Sequence, residues 1–137
     1  IQINQANMNR ATPLYITCQF GHVDIVRLLL AREEIQINEA KKDESTPFFV
    51  TCQWGHMDVV RLLLARKDID INQCDNQNIT PINTASDYGH IDMVKLLLAQ
   101  PNIDINKQDK WGDTPESCAS KKGHTAIVAL FQQYKTN

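Results

Sequence analysis

The sequence predicts an all-α fold, a helical repeat solenoid, and three recurring motifs carry this prediction. A Thr-Pro pair, a Gly-His pair and an Ile-x-Ile-Asn segment each occur four times along the 137 residues. Every copy follows the previous one by 34 residues, so that the Thr-Pro pairs begin at Thr12, Thr46, Thr80 and Thr114. Self-similarity at a fixed period of this length is the signature of stacked structural repeats. We therefore expect one repeat domain over residues 1–137, with units at about 1–34, 35–68, 69–102 and 103–137.

Each unit should contain two short helices. Thr12 is suited to cap the first helix with its hydroxyl, and Pro13 suits the first helical position, where no amide hydrogen bond is lost. Gly21 should end this helix, because glycine adopts the left-handed conformation without strain. The second helix should begin near Asp24, whose carboxylate suits the positive end of the helix dipole. It carries a wide apolar stripe of Ile25, Val26, Leu28, Leu29 and Leu30.

The segment after the second helix, residues 35–45, predicts an extended, turn-bearing connector to the next Thr-Pro pair. Neither helix of a unit is long enough to be stable alone in water. Each unit must therefore bury its apolar face on its neighbour, as the units of a solenoid do. Tetratricopeptide repeats have the same length, but their Trp and Gly-Tyr pattern is absent from this sequence.

These motifs resemble the ankyrin repeat along the whole chain. The family pattern of Thr-Pro-Leu-His-x-Ala, Gly-His, Val and Leu-Leu is similar to Thr12-Pro13-Leu14-Tyr15-Ile16-Thr17, Gly21-His22, Val26 and Leu28-Leu29. The resemblance implies stacked helix–turn–helix units joined by β-hairpin-like fingers. It also implies a curved array with a concave face that binds a partner.

The sequence departs from the family pattern at the fingers and at the first helix. The family's glycine at the finger tip survives only as Gly112, because Arg10, Glu44 and Asn78 stand at the other tips. We therefore expect the first three fingers to differ in geometry from the family's. The family histidine that follows Thr-Pro-Leu is replaced by Tyr15, Phe49, Asn83 and Ser117, so its hydrogen bonds should change.

The Gly-His histidines raise the question of metal binding or catalysis, since three of them are followed two residues later by aspartate. Stacked helices lie roughly 8–10 Å apart, whereas metal ligands converge within about 2.0–2.2 Å of an ion. We therefore interpret each histidine as ordering the turn between its helices and each aspartate as serving a helix start. No phosphate-binding loop or hydrolase motif is present in the sequence. We expect no enzyme activity, no metal or other cofactor, and no small-molecule ligand.

Composition and cysteine spacing narrow the partner and the compartment. A net charge of −2 gives no reason to expect a nucleic acid or an anionic membrane as partner. The longest apolar runs fall far short of the ~20 residues of a membrane span. Cys18 and Cys52 occupy the same repeat position, so they should point the same way on neighbouring units. Free, mostly buried thiols are therefore expected, which favours an intracellular protein of the cytoplasm or nucleus.

The candidate binding residues lie in two places. In ankyrin repeats the two positions before Gly-His lie on the concave side of the first helix, and here they hold the aromatic residues Phe20, Trp54 and Tyr88, preceded by Gln19, Gln53 and Asp87. The aromatic residues are expected to form a binding stripe, because Trp and Tyr dominate interface energetics. The alternative is that their rings cover the groove. The finger tips add Met8, Asn9, Lys42, Asp43, Asn76, Gln77, Lys110 and Trp111; the charged tips are otherwise simply solvated, and Trp111 is the exposed aromatic.

The two ends of the array differ. The last unit resembles a terminal cap, because Glu116 replaces the apolar residue that earlier units have after Thr-Pro. The first unit is as apolar as an internal one at Val23 and Ile25, and Ile1 aligns with the middle of a connector. We expect this face to be covered by missing residues, by a tag, or by self-association with a second copy. Alternatively, a modest apolar surface is tolerated.

The sequence therefore predicts a protein–protein interaction module whose concave face and finger tips bind another protein. Two alternatives stay open. The chain could be an architectural segment of a larger protein, or an engineered or reconstructed array with no natural partner. Ankyrin arrays bind unrelated targets, so the resemblance does not name the partner.

Overall fold

A computed structural model describes residues 2–137 and contains eight helices in this range, with no β-strand. Ile1, which begins the first Ile-x-Ile-Asn copy, lies outside the described residues. The all-α prediction is confirmed, and each predicted unit contains one helix pair. The helices are α1 Pro13–Gln19, α2 Val23–Leu30, α3 Pro47–Trp54, α4 Met57–Leu64, α5 Pro81–Asp87, α6 Ile91–Leu98, α7 Pro115–Lys121 and α8 Thr125–Thr136.

The helices form two stacked rows. The first helices of the units contact one another in chain order, α1 on α3, α3 on α5 and α5 on α7. The second helices pack behind them, with α2 on α4 and α6 on α8. No helix within residues 2–137 combines the length and the apolarity that crossing a bilayer requires.

The predicted helix start is confirmed in all four units. The hydroxyl of Thr12 accepts a hydrogen bond from the amide of Tyr15 at 3.2 Å, and Thr46, Thr80 and Thr114 make the same bond. A proline follows each cap at the first helical turn. Since a threonine cap contributes about 1 kcal/mol, four caps support helices that are too short to form alone.

The core lies between the two rows of helices and between consecutive units. The apolar residue after each Thr-Pro is fully buried in the first three units, as Leu14, Phe48 and Ile82. In the last unit this position is Glu116, which is only partly buried and forms an ion pair with Lys135 of α8. The fourth unit therefore has a charged side chain at the position where the first three units have a buried apolar one.

The histidines of the last three Gly-His pairs bond between units, a role that the prediction of turn ordering did not include. Nε2 of His56 lies 2.9 Å from the carbonyl oxygen of Gln19, in the preceding unit. His90 and His124 make the corresponding bonds, at 2.8 and 3.0 Å, to Gln53 and Asp87. The ring thus reaches across the junction because the turn places it at the end of the neighbouring first helix.

The connectors are also tied to one another. The side chain of Asn38 donates to the carbonyl of Asp68 and accepts from the amide of Asp70, at 2.7 and 2.9 Å. Asn4 and Asn72 bridge to the next connector in the same way. Each of these asparagines satisfies two backbone groups that would otherwise remain without a protein partner.

The fingers share one backbone geometry, so the three tips without glycine do not set the first three fingers apart from the fourth. Arg10, Glu44 and Asn78 adopt positive φ angles of 64°, 70° and 61°, in the same left-handed region as Gly112. A backbone bond closes each finger, for example from the amide of Lys41 to the carbonyl of Ser45 at 2.8 Å. Neighbouring fingers are also hydrogen-bonded, so the stack imposes the turn on residues that disfavour it. The fingers are tight turns without β-strand, which refines the predicted hairpin-like form.

The face of the first unit that looks away from the array is apolar and exposed. Ile25 is 47% exposed and Leu28 is 70% exposed. The residues equivalent to Ile25 in the later units, Val59, Met93 and Ile127, are buried because a preceding unit covers them. The first unit therefore carries a stacking face with nothing packed on it in residues 2–137.

Glu44→Gly is expected to stabilise the chain by about 0.5–1 kcal/mol. Glycine removes the left-handed strain at φ 70°, which costs a non-glycine residue about 1–2 kcal/mol, and this gain exceeds the entropy that glycine adds to the unfolded chain. Glu39→Gly is the matched control, because Glu39 is an exposed glutamate outside the helices without a positive φ. Urea unfolding should show a higher midpoint for Glu44→Gly and a lower one for Glu39→Gly. Equal losses in both variants would contradict the account.

Candidate protein-binding groove

A concave groove of about 640 Å³ runs between the fingers and the first helices, and all four units line it. Its floor comes from the first helices, through Gln19, Val50, Thr84 and Lys121 among others. Its wall comes from the fingers. The groove follows from the repeat, because each unit places one helix and one finger beside those of its neighbour.

Trp54 and Tyr88 form an aromatic pair in the groove. They are 47% and 46% exposed, and their ring centroids lie 5.8 Å apart in an edge-on arrangement. Nε2 of Gln53 donates to the hydroxyl of Tyr88 at 3.2 Å, which orients the tyrosine ring. Both rings line the groove and keep about half of their surface exposed. Each ring is therefore partly packed against the protein and partly available to a ligand.

Phe20 belongs to a separate surface. It is 62% exposed, and its ring stacks on His22 with the centroids 6.1 Å apart. It shares a shallow concavity with Gln19, Trp54 and His56 and does not line the main groove. The aromatic stripe is therefore continuous in ring contact from Trp54 to Tyr88, while Phe20 extends it across the rim.

The repeat position that directly precedes the aromatic residues has two roles in the structure. The backbone carbonyls of Gln19, Gln53 and Asp87 accept the histidine bonds that join the units. Their side chains line the groove, and Oδ1 of Asp87 lies 3.9 Å from Nζ of Lys122. The residues that fix the stacking thus also present side chains to the predicted binding surface.

The finger residues predicted to bind divide between the groove and the outer edge. Asp43, Gln77 and Trp111 line the groove. Lys110 holds its ammonium 4.6 Å from the centroid of the exposed Trp111 ring, a cation–π contact. The remaining finger residues are exposed and lie outside the groove wall, namely Met8, Asn9, Lys42, Asn76 and Lys110.

Three residues that line the groove were not among the predicted binding residues. Asp75 and Asp109 stand at equivalent positions of the third and fourth fingers, and each accepts two backbone amide bonds at 2.9 Å through Oδ1. Asn83 of α5 is 2% exposed and lines the groove. The signal that could have revealed them was variation within a repeat column, since Asn83 replaces the aromatic Tyr15 and Phe49 of the first two units.

The groove is acidic at its centre. Burial raises the pKa of the Asp75 carboxyl above its usual range against the effect of its two backbone hydrogen bonds, and the charges of Asp43 and Glu44 raise this pKa further. The carboxylate of Asp75 is therefore less favourable in the folded chain than in water. Asp113 lies in the opposite situation, because the hydrogen bond from Lys121 lowers its pKa.

Asp109, Asp113 and Cys118 form the one cluster with metal-ligand chemistry found within residues 2–137. Their candidate ligand atoms lie within 4.8 Å of one another. One oxygen of each carboxylate already has a protein partner, because Oδ1 of Asp109 caps the finger and Oδ1 of Asp113 is 2.8 Å from Nζ of Lys121. Burial raises the pKa of the Cys118 thiol to about 11, so it is protonated at neutral pH and is a poor ligand. That the chain binds no metal stays a prediction.

Comparison with models of protein families gives a match over the whole chain. The family model described as ankyrin repeats (3 copies) matches residues 1–75, 33–109 and 67–137. These overlapping matches span the chain from its first residue to its last. A search of curated proteins finds no match.

Asp75→Asn is expected to stabilise the chain at neutral pH by less than about 1 kcal/mol, since the side chain is only partly buried. Asparagine keeps the oxygen that accepts both amides, as Asn7 does in the first finger, and removes the disfavoured charge. Because the folded pKa lies above the unfolded value of about 3.9, the gain should be complete above the folded pKa and vanish below the unfolded one. Urea unfolding from pH 3 to pH 7 measures it. A gain that is equal at both ends, or a loss at pH 7, would contradict the electrostatic explanation.

Proposed function

The chain belongs to the ankyrin repeat family, and we propose that it is a non-enzymatic module that binds another protein through its concave groove and finger tips. Ankyrin repeats are generally protein–protein interaction modules. The observation that carries the proposal for this chain is the half-exposed pair of Trp54 and Tyr88 in a groove lined by all four units. Large aromatic side chains that are partly held by the protein and partly free are typical anchors of interfaces.

The engagement of the polar groups in the groove supports binding over catalysis. Asp43 and Asp109 hold the backbone of their fingers, and Asp113 pairs with Lys121. A catalytic acid or base acts by transferring a proton to or from a substrate, whereas each of these carboxylates uses one oxygen to hold a finger or an ammonium in place. Their arrangement suits recognition by shape and charge.

The state of the cysteines supports an intracellular location. All four are free thiols, and Cys18, Cys52 and Cys118 are buried. Burial raises the pKa of the Cys18 thiol to about 12, which makes it slow to oxidise. Free thiols in a small protein fit a reducing compartment such as the cytoplasm or nucleus.

Trp54→Ala is expected to weaken binding of a groove partner by about 2 kcal/mol or more, which is roughly 30-fold. The reason is that Trp54 contacts both the groove and the rim surface that holds Phe20. Proteins captured from a cell extract by the wild-type array should be compared with those captured by the variant, and dissociation constants measured for each.

Tyr134→Ala is the matched control, because Tyr134 is an exposed aromatic of α8 that does not line the groove. Proteins that bind the wild type and this control but not Trp54→Ala are groove partners. If Trp54→Ala binds each captured protein within about 0.5 kcal/mol of wild type, the aromatic pair is structural cover and the proposal fails.

A further inference from the structure

Resting on the proposed function, we infer that the groove binds an extended peptide segment of the partner that carries a lysine or arginine. Its cationic end pairs with Asp75 of the third finger, and Asp109 of the fourth finger adds negative charge beside it. Trp54 and Tyr88 contact the apolar residues beside it.

Asp75 and Asp109 are the two groove carboxylates that have no positively charged partner within residues 2–137. The groove is lined by five aspartates and three lysines. Each lysine is paired, Lys41 with Asp43 at 3.8 Å, Lys121 with Asp113 at 2.8 Å, and Lys122 with Asp87 at 3.9 Å. Within residues 2–137, no ammonium or guanidinium forms an ion pair with Asp75 or Asp109. The groove therefore has a net negative centre that a cation would neutralise.

The two carboxylates are neighbours along the groove. They stand at the same position of adjacent fingers, and these fingers are joined by the bond from the amide of Lys110 to the carbonyl of Gln77, at 3.0 Å. Oδ1 of each aspartate is occupied by the two amides of its own finger. Oδ2 of Asp109 has only the thiol of Cys118, at 3.9 Å, so both residues keep an oxygen for a stronger donor.

The charge at Asp75 is not needed for the fold. Asn7 closes the first finger with the same two bonds, to the amides of Asn9 and Ala11 at 2.9 and 3.0 Å. An asparagine would therefore serve equally well at Asp75, without the desolvation and without the repulsion from Asp43 and Glu44. A carboxylate that disfavours the folded chain, at a site where an amide suffices, points to a ligand that requires the charge.

Asn83 supplies an independent reason to expect a peptide. It is 2% exposed and lines the groove, and its Nδ2 has no oxygen or nitrogen acceptor among residues 2–137, only the weakly accepting thiol of Cys118 nearby. At the equivalent position the hydroxyl of Tyr15 bonds to Ser45, and Ser117 completes the cap of α7. A buried amide donor without a strong acceptor destabilises the folded chain, and the carbonyl of an extended chain in the groove would satisfy it.

The same features favour an extended peptide over other ligands. The groove is open along its length and passes all four units, which suits a chain more than a compact small molecule. Its net negative charge repels nucleic acid. An extended segment brings unpaired N–H and C=O groups, and the groove offers Asn83, Gln53 and Gln77 to bond them.

The test begins with a display library of random linear peptides selected on the wild-type chain. We expect the selected peptides to carry lysine or arginine close to an aromatic or aliphatic residue. Their affinities for wild type and for Asp75→Asn should then be measured by fluorescence anisotropy at low and high ionic strength. Asp75→Asn should weaken binding roughly tenfold or more, since a charged hydrogen bond is lost, and should reduce the salt dependence.

Two controls separate the ionic contact from other effects. Asp70→Asn makes the same charge change at an exposed connector residue outside the groove and should leave the affinity within about twofold of wild type. Replacing the peptide's basic residue by glutamine should weaken binding to wild type but weaken it no further for Asp75→Asn, as a double-mutant cycle requires for a direct contact. Asp75→Asn is expected to be more stable than wild type, so unfolding would not explain a loss.

Peptides selected without basic residues, or equal losses in Asp75→Asn and Asp70→Asn, would overturn the inference. If such peptides still depend on Trp54, the groove is a protein-binding site of different specificity and the proposed function stands. If no selected peptide depends on Trp54, both the inference and the proposed function fail.

Discussion

Each junction between units is built around a histidine ring that lies against a glycine of the preceding unit. A methyl group on Gly55 would lie 2.9 Å from Nδ1 of His90, and the glycine also has a φ of 71° that only glycine adopts without strain. The other nitrogen of the ring bonds to the carbonyl of Gln53, the residue that directly precedes Trp54. The contact that sets the spacing of the units therefore also sets the position of the aromatic column. Correct stacking of the repeats therefore also places their aromatic residues at the groove.

Above this fixed scaffold, the fingers hold one backbone shape while their side chains vary. Glu44 adopts a left-handed conformation that costs energy, and it does so because its neighbours are hydrogen-bonded to the fingers on either side. Asp75 likewise keeps a charge that the fold does not require. The stacked core and the threonine caps stabilise the chain, and these features of the concave surface destabilise it. This distribution is typical of a binding protein, whose functional surface is less stable than its frame.

The sequence predicted the fold almost completely, because a solenoid is determined by local signals that repeat. Thr12 and Pro13 identify a helix start from chemistry within one unit, and the structure has that start. The role of His56 could not be predicted in the same way, because its partner is the carbonyl of Gln19 in another unit. The shape of the finger at Glu44 could not be predicted from its residue for a related reason, since residue preference is local but some of the bonds that hold the turn come from neighbouring fingers.

The candidate site was predicted in part. Trp54 and Tyr88 were found because their column is aromatic and the resemblance placed it on the concave side. Asp75 and Asn83 were missed because each is ordinary in its own unit, one as a turn residue and the other as a polar residue on a helix. Only the folded groove shows that Asp75 has no positively charged partner in the described part of the chain while the groove lysines are paired, and that Asn83, which is buried, lines the same groove.

The claim that the concave groove is the binding surface can be tested directly through the two tryptophans of the chain, since Trp54 and Trp111 both line it. Nitrogen-15-labelled protein gives one indole N–H resonance for each, well separated from the backbone amides. On titration with a basic peptide selected by the wild-type chain, both indole resonances should shift, together with the amides of α3 and α5. The amides of α2 and α4, on the opposite side, should stay in place. Shifts confined to α2 and α4 with both indole resonances unchanged would contradict the account.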